Sequence, residues 1–174
     1  MKKLFILSLI VIAGMFTTVS AQGPAASPAS KTIQTIGTTE ITVAYSRPSV
    51  KGRDIFGALV PYGAMWRTGA NAATKISFSK DVKVEGKDLM AGDYALFTTP
   101  GKDEWAIHFF KFETPGAGDY GDKTPALTVK VKPMMMEGTK VESFLIVFDT
   151  LRNDGGEMDL LWDNVAVPIQ LGVK

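Results

Sequence analysis

The stretch TIQTIGTTEITVAY, residues 32–45, decides the fold class because it contains two short segments of strand character around a turn. In Glu40–Tyr45 apolar and polar side chains alternate, so an extended strand here has one apolar face and one polar face. Gly37-Thr38-Thr39 separates this segment from Thr32–Ile36, and the spacing predicts a β-hairpin.

The same two-residue period continues through most of the chain, and no amphipathic helix of ordinary length interrupts it. About nine or ten short strands joined by short turns are typical of an all-β, antiparallel β-sandwich with Greek-key or jelly-roll-like connections. Ser79-Lys80-Asp81 lies between two of these strands, and we expect a second hairpin there. Beyond the first hairpin, the predicted strands are Ile76–Phe78, Val82–Val84, Tyr94–Thr98, Trp105–Phe110, Leu127–Val131, Val141–Phe148, Met158–Trp162 and Val165–Leu171.

The N-terminus has the organisation of a secretory signal peptide. Lys2 and Lys3 precede the apolar run Leu4–Phe16, and small residues lead to Ala21. A membrane anchor is the alternative, but the apolar run falls short of the roughly 20 residues that span a bilayer. We therefore expect cleavage after Ala21 and export to the periplasm or the cell exterior.

The rest of the chain is expected to form one domain. Residues 22–30, QGPAASPAS, have the composition of a flexible tether, and residues 31–174 have a length suited to a single β-sandwich. Residues 22–174 carry seventeen basic and eighteen acidic residues, and this net charge of −1 argues against nucleic-acid binding. We expect no membrane span after signal cleavage and no cofactor; the sequence leaves the oligomeric state open.

One stretch differs in composition from the rest of the chain. Residues 45–75, here called the arginine segment, contain three of the four arginines and have five basic residues and one acidic residue, a net charge of +4. The remainder of residues 22–174 has a net charge of −5. Arginine presents a planar fork of donors that binds carboxylate, phosphate or sugar oxygens. The arginine segment is therefore the candidate functional region.

The arginine segment is predicted to bind a ligand through its basic, aromatic and amide side chains. Trp66 is expected to anchor in the core while Arg67 points the opposite way, because neighbouring side chains alternate in an extended stretch. The alternative is structural, with the arginines paired to acidic residues of the sandwich. The candidate ligand-binding residues are Tyr45, Arg47, Arg53, Tyr62, Arg67 and Asn71.

The arginine segment is also expected to be ordered. Pro48 ends the preceding strand. Asp54 is placed to begin a short helical turn over Ile55–Val60, which Pro61 would stop. Long loops of this kind in compact domains tend to be functional.

Three strings of this segment resemble a family of secreted bacterial proteins, frequent in Bacteroidetes, known as domain of unknown function 2911. They are YSRPSVKGRDIFG (45–57), LVPYG (59–63) and WRTGANAAT (66–74), and the resemblance continues at LMAGDYALF (89–97). Met90 departs from the pattern, which has proline there. The resemblance implies an export signal and a compact β-rich domain, and it transfers no catalytic residue.

Other candidate sites find little support in the sequence. His108 is the one histidine and lies within an apolar strand, which predicts a core or cleft histidine. One histidine and no cysteine argue against zinc or copper. The acidic residues between positions 149 and 163 have no calcium-loop spacing, and Asn153–Gly156 is typical of a turn joining two strands. The elbow sequence of serine hydrolases is absent.

Together these features predict a non-catalytic binding module for a small anionic or carbohydrate-like ligand. One alternative is a cell-envelope hydrolase or another enzyme that uses the arginine segment, which requires a carboxylate or His108 near the arginines. A second alternative is a structural or assembly domain, which requires every arginine to be paired within the protein.

Overall fold

The computed structural model of the chain describes residues 25–113 and 120–173, and this part contains no α-helix. The signal peptide predicted for residues 1–21 lies outside the described residues. The strands are β1 (Ala29–Ile36), β2 (Thr39–Ser46), β3 (Thr74–Phe78), β4 (Val82–Val84), β5 (Lys87–Leu89), β6 (Gly92–Thr99), β7 (Trp105–Lys111), β8 (Leu127–Val131), β9 (Met134–Met135), β10 (Val141–Arg152), β11 (Gly155–Asp163) and β12 (Val165–Val173).

The strands form two antiparallel sheets, which confirms the predicted all-β sandwich. The first sheet has the strand order β1-β2-β3-β6-β7-β8. The second has the order β10-β11-β12-β4-β5, and β9 pairs with β12. Each sheet contributes alternate apolar side chains to a common core, as two half-apolar sheets must when they pack face to face.

The predicted hairpin at residues 32–45 is confirmed. β1 and β2 pair from Ala29↔Ser46 to Ile36↔Thr39. β1 begins at Ala29, two residues inside the segment predicted as a tether. The preceding Pro28 carbonyl oxygen accepts a hydrogen bond from the Arg47 N–H at 2.9 Å, so contact with the arginine segment begins before the first strand.

The hairpin predicted around Ser79-Lys80-Asp81 is wrong. β3 pairs with β2 and β6 in the first sheet, whereas β4 pairs with β5 and β12 in the second. The chain therefore crosses between the sheets at residues 79–81. The Asp81 carboxylate accepts the Ala91 N–H at 2.7 Å, which fixes the crossing next to the return from β5 to β6. Both sheets bury the same kind of alternating face, so the local pattern does not specify the partner strand.

Aromatic side chains fill one end of the core. Phe56, from the arginine segment, has its ring centroid 4.9 Å from Trp105 and 6.0 Å from Trp162. Trp66, from the same segment, stacks on Trp162 at 5.6 Å and meets Phe144 edge-on at 5.2 Å. These five residues are here called the aromatic cluster. Because it joins the arginine segment to both sheets, the cluster holds that segment against the sandwich.

His108 lies on the outer face of the first sheet, not among the core residues between the sheets. Its Nδ1 lies 3.0 Å from the Thr128 hydroxyl oxygen, and its Nε2 lies 3.0 Å from the Thr99 hydroxyl oxygen. Burial lowers the pKa of His108, which favours the neutral ring. Both ring nitrogens thus contact threonine hydroxyls of neighbouring strands, and the histidine predicted for the core or a cleft is half-buried on the outer face of the sheet instead.

The outer face of the second sheet places a carboxylate among apolar neighbours. Asp159, in β11, lies directly between Val147 of β10 and Pro168 of β12. Burial, and then the nearby charges of Glu157 and Asp149, raise the pKa of Asp159 to about 6. The folded protein therefore binds a proton at Asp159 at pH values where an unfolded chain does not.

This raised pKa makes stability depend on pH in a defined direction. Between the ordinary value of 3.8 and about 6 the folded state holds more protons than the unfolded state, so stability falls as pH rises through this window. We expect Asp159→Asn to unfold at a higher temperature than wild type at pH 7.5, and the difference to disappear near pH 4. Thermal melts at a series of pH values measure this difference in unfolding temperature. Asp103→Asn, in an exposed turn, is the control, and an Asp159→Asn protein no more stable than wild type at pH 7.5 would contradict the account.

Candidate functional site

The first part of the arginine segment runs along the free edge of β10. The Phe144 N–H donates to the Pro48 carbonyl oxygen at 2.9 Å, and the Val50 N–H donates to the Glu142 carbonyl oxygen at 2.8 Å. Between them Ser49 forms a bridge pair with Ser143. Residues 48–50 therefore act as a short partner strand and satisfy backbone groups that an edge strand would leave unpaired.

Tyr45 and Arg47 form side-chain hydrogen bonds with the same edge of β10. The Tyr45 hydroxyl accepts the Ile146 N–H at 3.0 Å, and it lies 3.4 Å from the Ile146 carbonyl oxygen, to which it donates. Arg47 donates from Nε to the Phe144 carbonyl oxygen at 2.8 Å and from Nη2 to the Ser143 carbonyl oxygen at 3.3 Å. Both predicted ligand residues are thus bound to the backbone of β10, and neither lines the cavity described below.

The helical turn predicted over Ile55–Val60 is wrong. Gly57 has a φ of 92°, which no right-handed helix contains, and the Val60 N–H donates to the Ile55 carbonyl oxygen at 2.9 Å in a wider turn. A Cβ atom at position 57 would lie 2.7 Å from the Tyr62 ring. Glycine therefore allows both the turn and the close approach of Tyr62.

Tyr62, the third predicted residue, belongs to a separate cavity. Its exposed ring lines a space of about 230 Å³ together with Asp54, Met135 and Asp163. Among the described residues, no arginine of the segment lines this space, so the structure divides the predicted residues among the edge of β10, this space and the main cavity.

The remaining three predicted residues meet in one cavity of about 370 Å³. Arg53, Arg67 and Asn71 all line it. Trp66 and Trp162 of the aromatic cluster also contribute to its wall. The other lining residues are Ser27, Pro48, Leu59, Val60, Gly69 and Ala70. This space, here called the arginine cavity, is the candidate binding site.

The two arginines of the cavity are held by backbone oxygens. Arg53 donates from Nε to the Val50 carbonyl oxygen at 3.0 Å and from Nη2 to the Ser49 carbonyl oxygen. Arg67 donates from Nη1 to the Asn71 carbonyl oxygen at 2.6 Å. Within residues 25–113 and 120–173, none of the arginines of the segment forms a salt bridge. The acidic partners that the structural alternative expects are therefore absent from the described residues.

Asn71 is fixed by its backbone and by its amide group. It has a φ of 60°, a left-handed conformation that asparagine tolerates better than most residues. Its Nδ2 donates to the Ser27 carbonyl oxygen at 3.3 Å and to the Ser46 hydroxyl oxygen at 3.2 Å. These two contacts orient the amide and leave Oδ1 as its acceptor.

Trp66 lies beside Thr98 of β6, just beyond the first residue of β3, Thr74, which pairs with Leu96. Its N–H donates to the Thr98 carbonyl oxygen at 2.7 Å, and the Thr98 N–H donates back at 2.8 Å. The indole N–H of Trp66 donates to the Gly69 carbonyl oxygen at 3.0 Å. Trp66 packs on the core and Arg67 is exposed, as the alternation of side chains predicts.

Trp162 is the wall residue that the sequence argument missed. The alternation in β11 places it on the core face with Met158 and Leu160, but nothing local indicates that it meets the arginine segment. Its indole N–H is buried and has no hydrogen-bond acceptor among the described residues. Trp162, a residue of the cavity wall, therefore carries a buried donor that the described part of the protein does not satisfy.

The arginine cavity suits the binding of negatively charged or oxygen-rich groups. It contains two guanidinium groups, and no lining residue in the described part of the chain carries a carboxylate or an imidazole.

No group of three or more metal-ligating side chains occurs among the described residues. No helix in the described ranges is long and apolar enough to cross a membrane.

Comparison with known proteins identifies the family. A family model described as "Protein of unknown function (DUF2911)" matches residues 27–171, and the chain belongs to this family. The resemblance to domain of unknown function 2911 is thereby confirmed. No curated protein and no solved structure matches the chain.

The hydroxyl of Tyr45 provides a test of the contact with β10. Tyr45→Phe keeps the ring but leaves the buried Ile146 N–H without this acceptor, and we expect a loss of about 1–3 kcal/mol in the free energy of unfolding. Urea denaturation measures it. Tyr62→Phe is the matched control, because the Tyr62 ring is exposed. Equal effects of the two substitutions would contradict the role given to Tyr45.

Arg47 and Arg67 provide a second test, which measures whether the arginines of the segment differ in their contribution to folding stability. Arg47→Ala removes contacts with a strand about 97 residues away, whereas Arg67→Ala removes a local contact at an exposed site. We expect Arg47→Ala to cost about 1–3 kcal/mol of folding stability and Arg67→Ala less than about 1 kcal/mol. Urea denaturation distinguishes them, and a loss for Arg67→Ala as large as that for Arg47→Ala would make Arg67 a structural residue.

Proposed function

We propose that this DUF2911 member is an exported, non-catalytic binding module for a small anionic or carbohydrate-like ligand, and that the arginine cavity is its site. One observation carries the proposal. Arg53 and Arg67 line the same cavity, and neither has a carboxylate partner in the described part of the chain.

The contacts of these arginines favour binding over a purely structural role. Carbonyl oxygens hold the guanidinium groups in place without neutralising their charge. A bound anion then forms charge-assisted hydrogen bonds with groups that are already positioned, which limits the loss of side-chain entropy on binding. The structural role falls instead to Tyr45 and Arg47, which bind β10.

The composition of the lining favours binding over catalysis. General acid–base catalysis needs a titratable group within hydrogen-bond reach of the substrate, and the described lining residues include no aspartate, glutamate or histidine. His108 uses both ring nitrogens on threonine hydroxyls and is not part of the cavity. Asp54 follows Arg53 in sequence but lines the other cavity, with Tyr62.

The N-terminal sequence supports the exported location. Lys2, Lys3 and the apolar run Leu4–Phe16 have the order of a cleavable signal, and small residues end at Ala21. An exported binding module would act in the periplasm or outside the cell. Ligands there include oxygen-rich components of the cell envelope, which is the class that the arginine cavity suits.

The test is a binding screen on wild type and arginine variants. Carboxylates, phosphate and neutral sugars are screened by thermal shift, and any that bind are titrated by calorimetry. We expect Arg53→Ala and Arg67→Ala each to weaken binding by about 1.5–3 kcal/mol, roughly ten- to a hundredfold, because each removes a charge-assisted contact. Arg152→Ala is the control, since Arg152 lies outside the segment and pairs with Asp154 at 3.7 Å. Unchanged affinity in both cavity variants would refute the site.

A further inference from the structure

We propose that the ligand of the arginine cavity is a sugar acid, a ring that carries one carboxylate group and several hydroxyl groups. This inference rests on the proposed function and narrows it from anions in general to one chemical class. It follows from the donors, acceptors and apolar surfaces that remain unused on the residues of the cavity.

The free donors of the two arginines match a carboxylate. Arg67 uses Nη1 on the Asn71 carbonyl oxygen, so its Nε and Nη2 have no hydrogen bond with the described residues. These two nitrogens form one edge of the guanidinium group and can bind both oxygens of a carboxylate. Arg53 uses its Nε–H and one N–H of Nη2, which leaves both N–H groups of Nη1 and the second N–H of Nη2 as further donors.

The free acceptor of Asn71 favours a ligand that carries a hydrogen-bond donor. Its Nδ2 is occupied by Ser27 and Ser46, and within the described residues its Oδ1 receives no hydrogen bond. A fully ionised inorganic anion such as sulfate offers only acceptors and would be repelled by this oxygen. A hydroxyl group donates to it and still accepts from a nearby arginine. The pairing of arginine donors with an amide acceptor therefore selects a hydroxylated anion.

The size and the apolar wall of the cavity fit a single ring. Its volume of about 370 Å³ lies near the small end of the usual range for ligand sites. Trp66, Leu59 and Pro48 supply apolar surface beside the polar groups. A sugar ring has an apolar C–H face next to its hydroxyl groups, so one molecule contacts both kinds of surface. A short acid such as acetate would leave the apolar wall uncovered.

Three probes of similar ring size separate the contribution of the carboxylate to binding from that of the hydroxyl groups. Glucuronate has both the carboxylate and the hydroxyl groups, cyclohexanecarboxylate has the carboxylate alone, and glucose has the hydroxyl groups alone. In calorimetric titrations of the purified protein we expect glucuronate to bind tightest. Loss of the hydroxyl groups should weaken binding about two- to tenfold, and loss of the carboxylate at least about tenfold, because charge-assisted hydrogen bonds are the stronger ones.

Variants at Asn71 test the acceptor directly. Asn71→Gly tolerates the φ of 60° and removes Oδ1, so we expect the affinity for glucuronate to fall to that for cyclohexanecarboxylate, whose own affinity should not change. Ser46→Ala is the control, because it removes a partner of Nδ2 and leaves Oδ1 in place. Thermal melts of both variants establish that they are folded.

The outcomes separate this inference from the proposed function. If cyclohexanecarboxylate binds as tightly as glucuronate, or if Asn71→Gly lowers both affinities equally, the sugar-acid assignment is overturned and anion binding stands. If glucose binds as tightly as glucuronate, the carboxylate has no role and the assignment also fails. If neither carboxylate nor inorganic phosphate binds, both the assignment and the proposed anion site are overturned.

Discussion

The free edge of β10 is the constraint on which the rest of the structure depends. Every N–H and carbonyl group along a strand needs a partner, and β10 has a neighbouring strand, β11, on one side only. Residues 48–50 supply backbone partners on the other side, and Tyr45 and Arg47 supply side-chain partners. A loop that covers an edge in this way is fixed along its length, because each contact restrains the next.

The position of the arginine cavity follows from this fixed loop. Once residues 48–50 lie on β10, Phe56 and Trp66 reach the aromatic end of the core and pack on Trp105 and Trp162. Arg53 and Arg67 lie just outside these two anchors in the sequence, and both line the cavity. Arginine thus has two roles within one segment. Arg47 donates hydrogen bonds to carbonyl oxygens at the edge of β10, whereas Arg53 and Arg67 line the cavity.

The sequence predicted the fold class and most strands, because two-residue alternation is a local property. Local charge selected the segment from which Arg53, Arg67 and Asn71 line one cavity. It did not predict the crossing between β3 and β4, because a strand with one apolar face fits either sheet. The predicted helical turn is wrong at Gly57, which has a positive φ and lies against the Tyr62 ring, a contact that the local sequence does not specify. Tyr45 and Arg47 could not be separated from Arg53 and Arg67 by residue type, since their roles depend on contact with a strand about 100 residues away.

The distance in sequence between the arginine segment and β10 also constrains how the protein folds. Their hydrogen bonds join residues 91 to 101 positions apart, and contacts of such high contact order form slowly because a long loop must close first. A nascent chain that has not yet reached β10 already contains Arg47, Arg53 and Arg67 but has neither the strand edge nor Trp162. The lining of the cavity is therefore complete only when β11, which carries Trp162, has joined the sandwich.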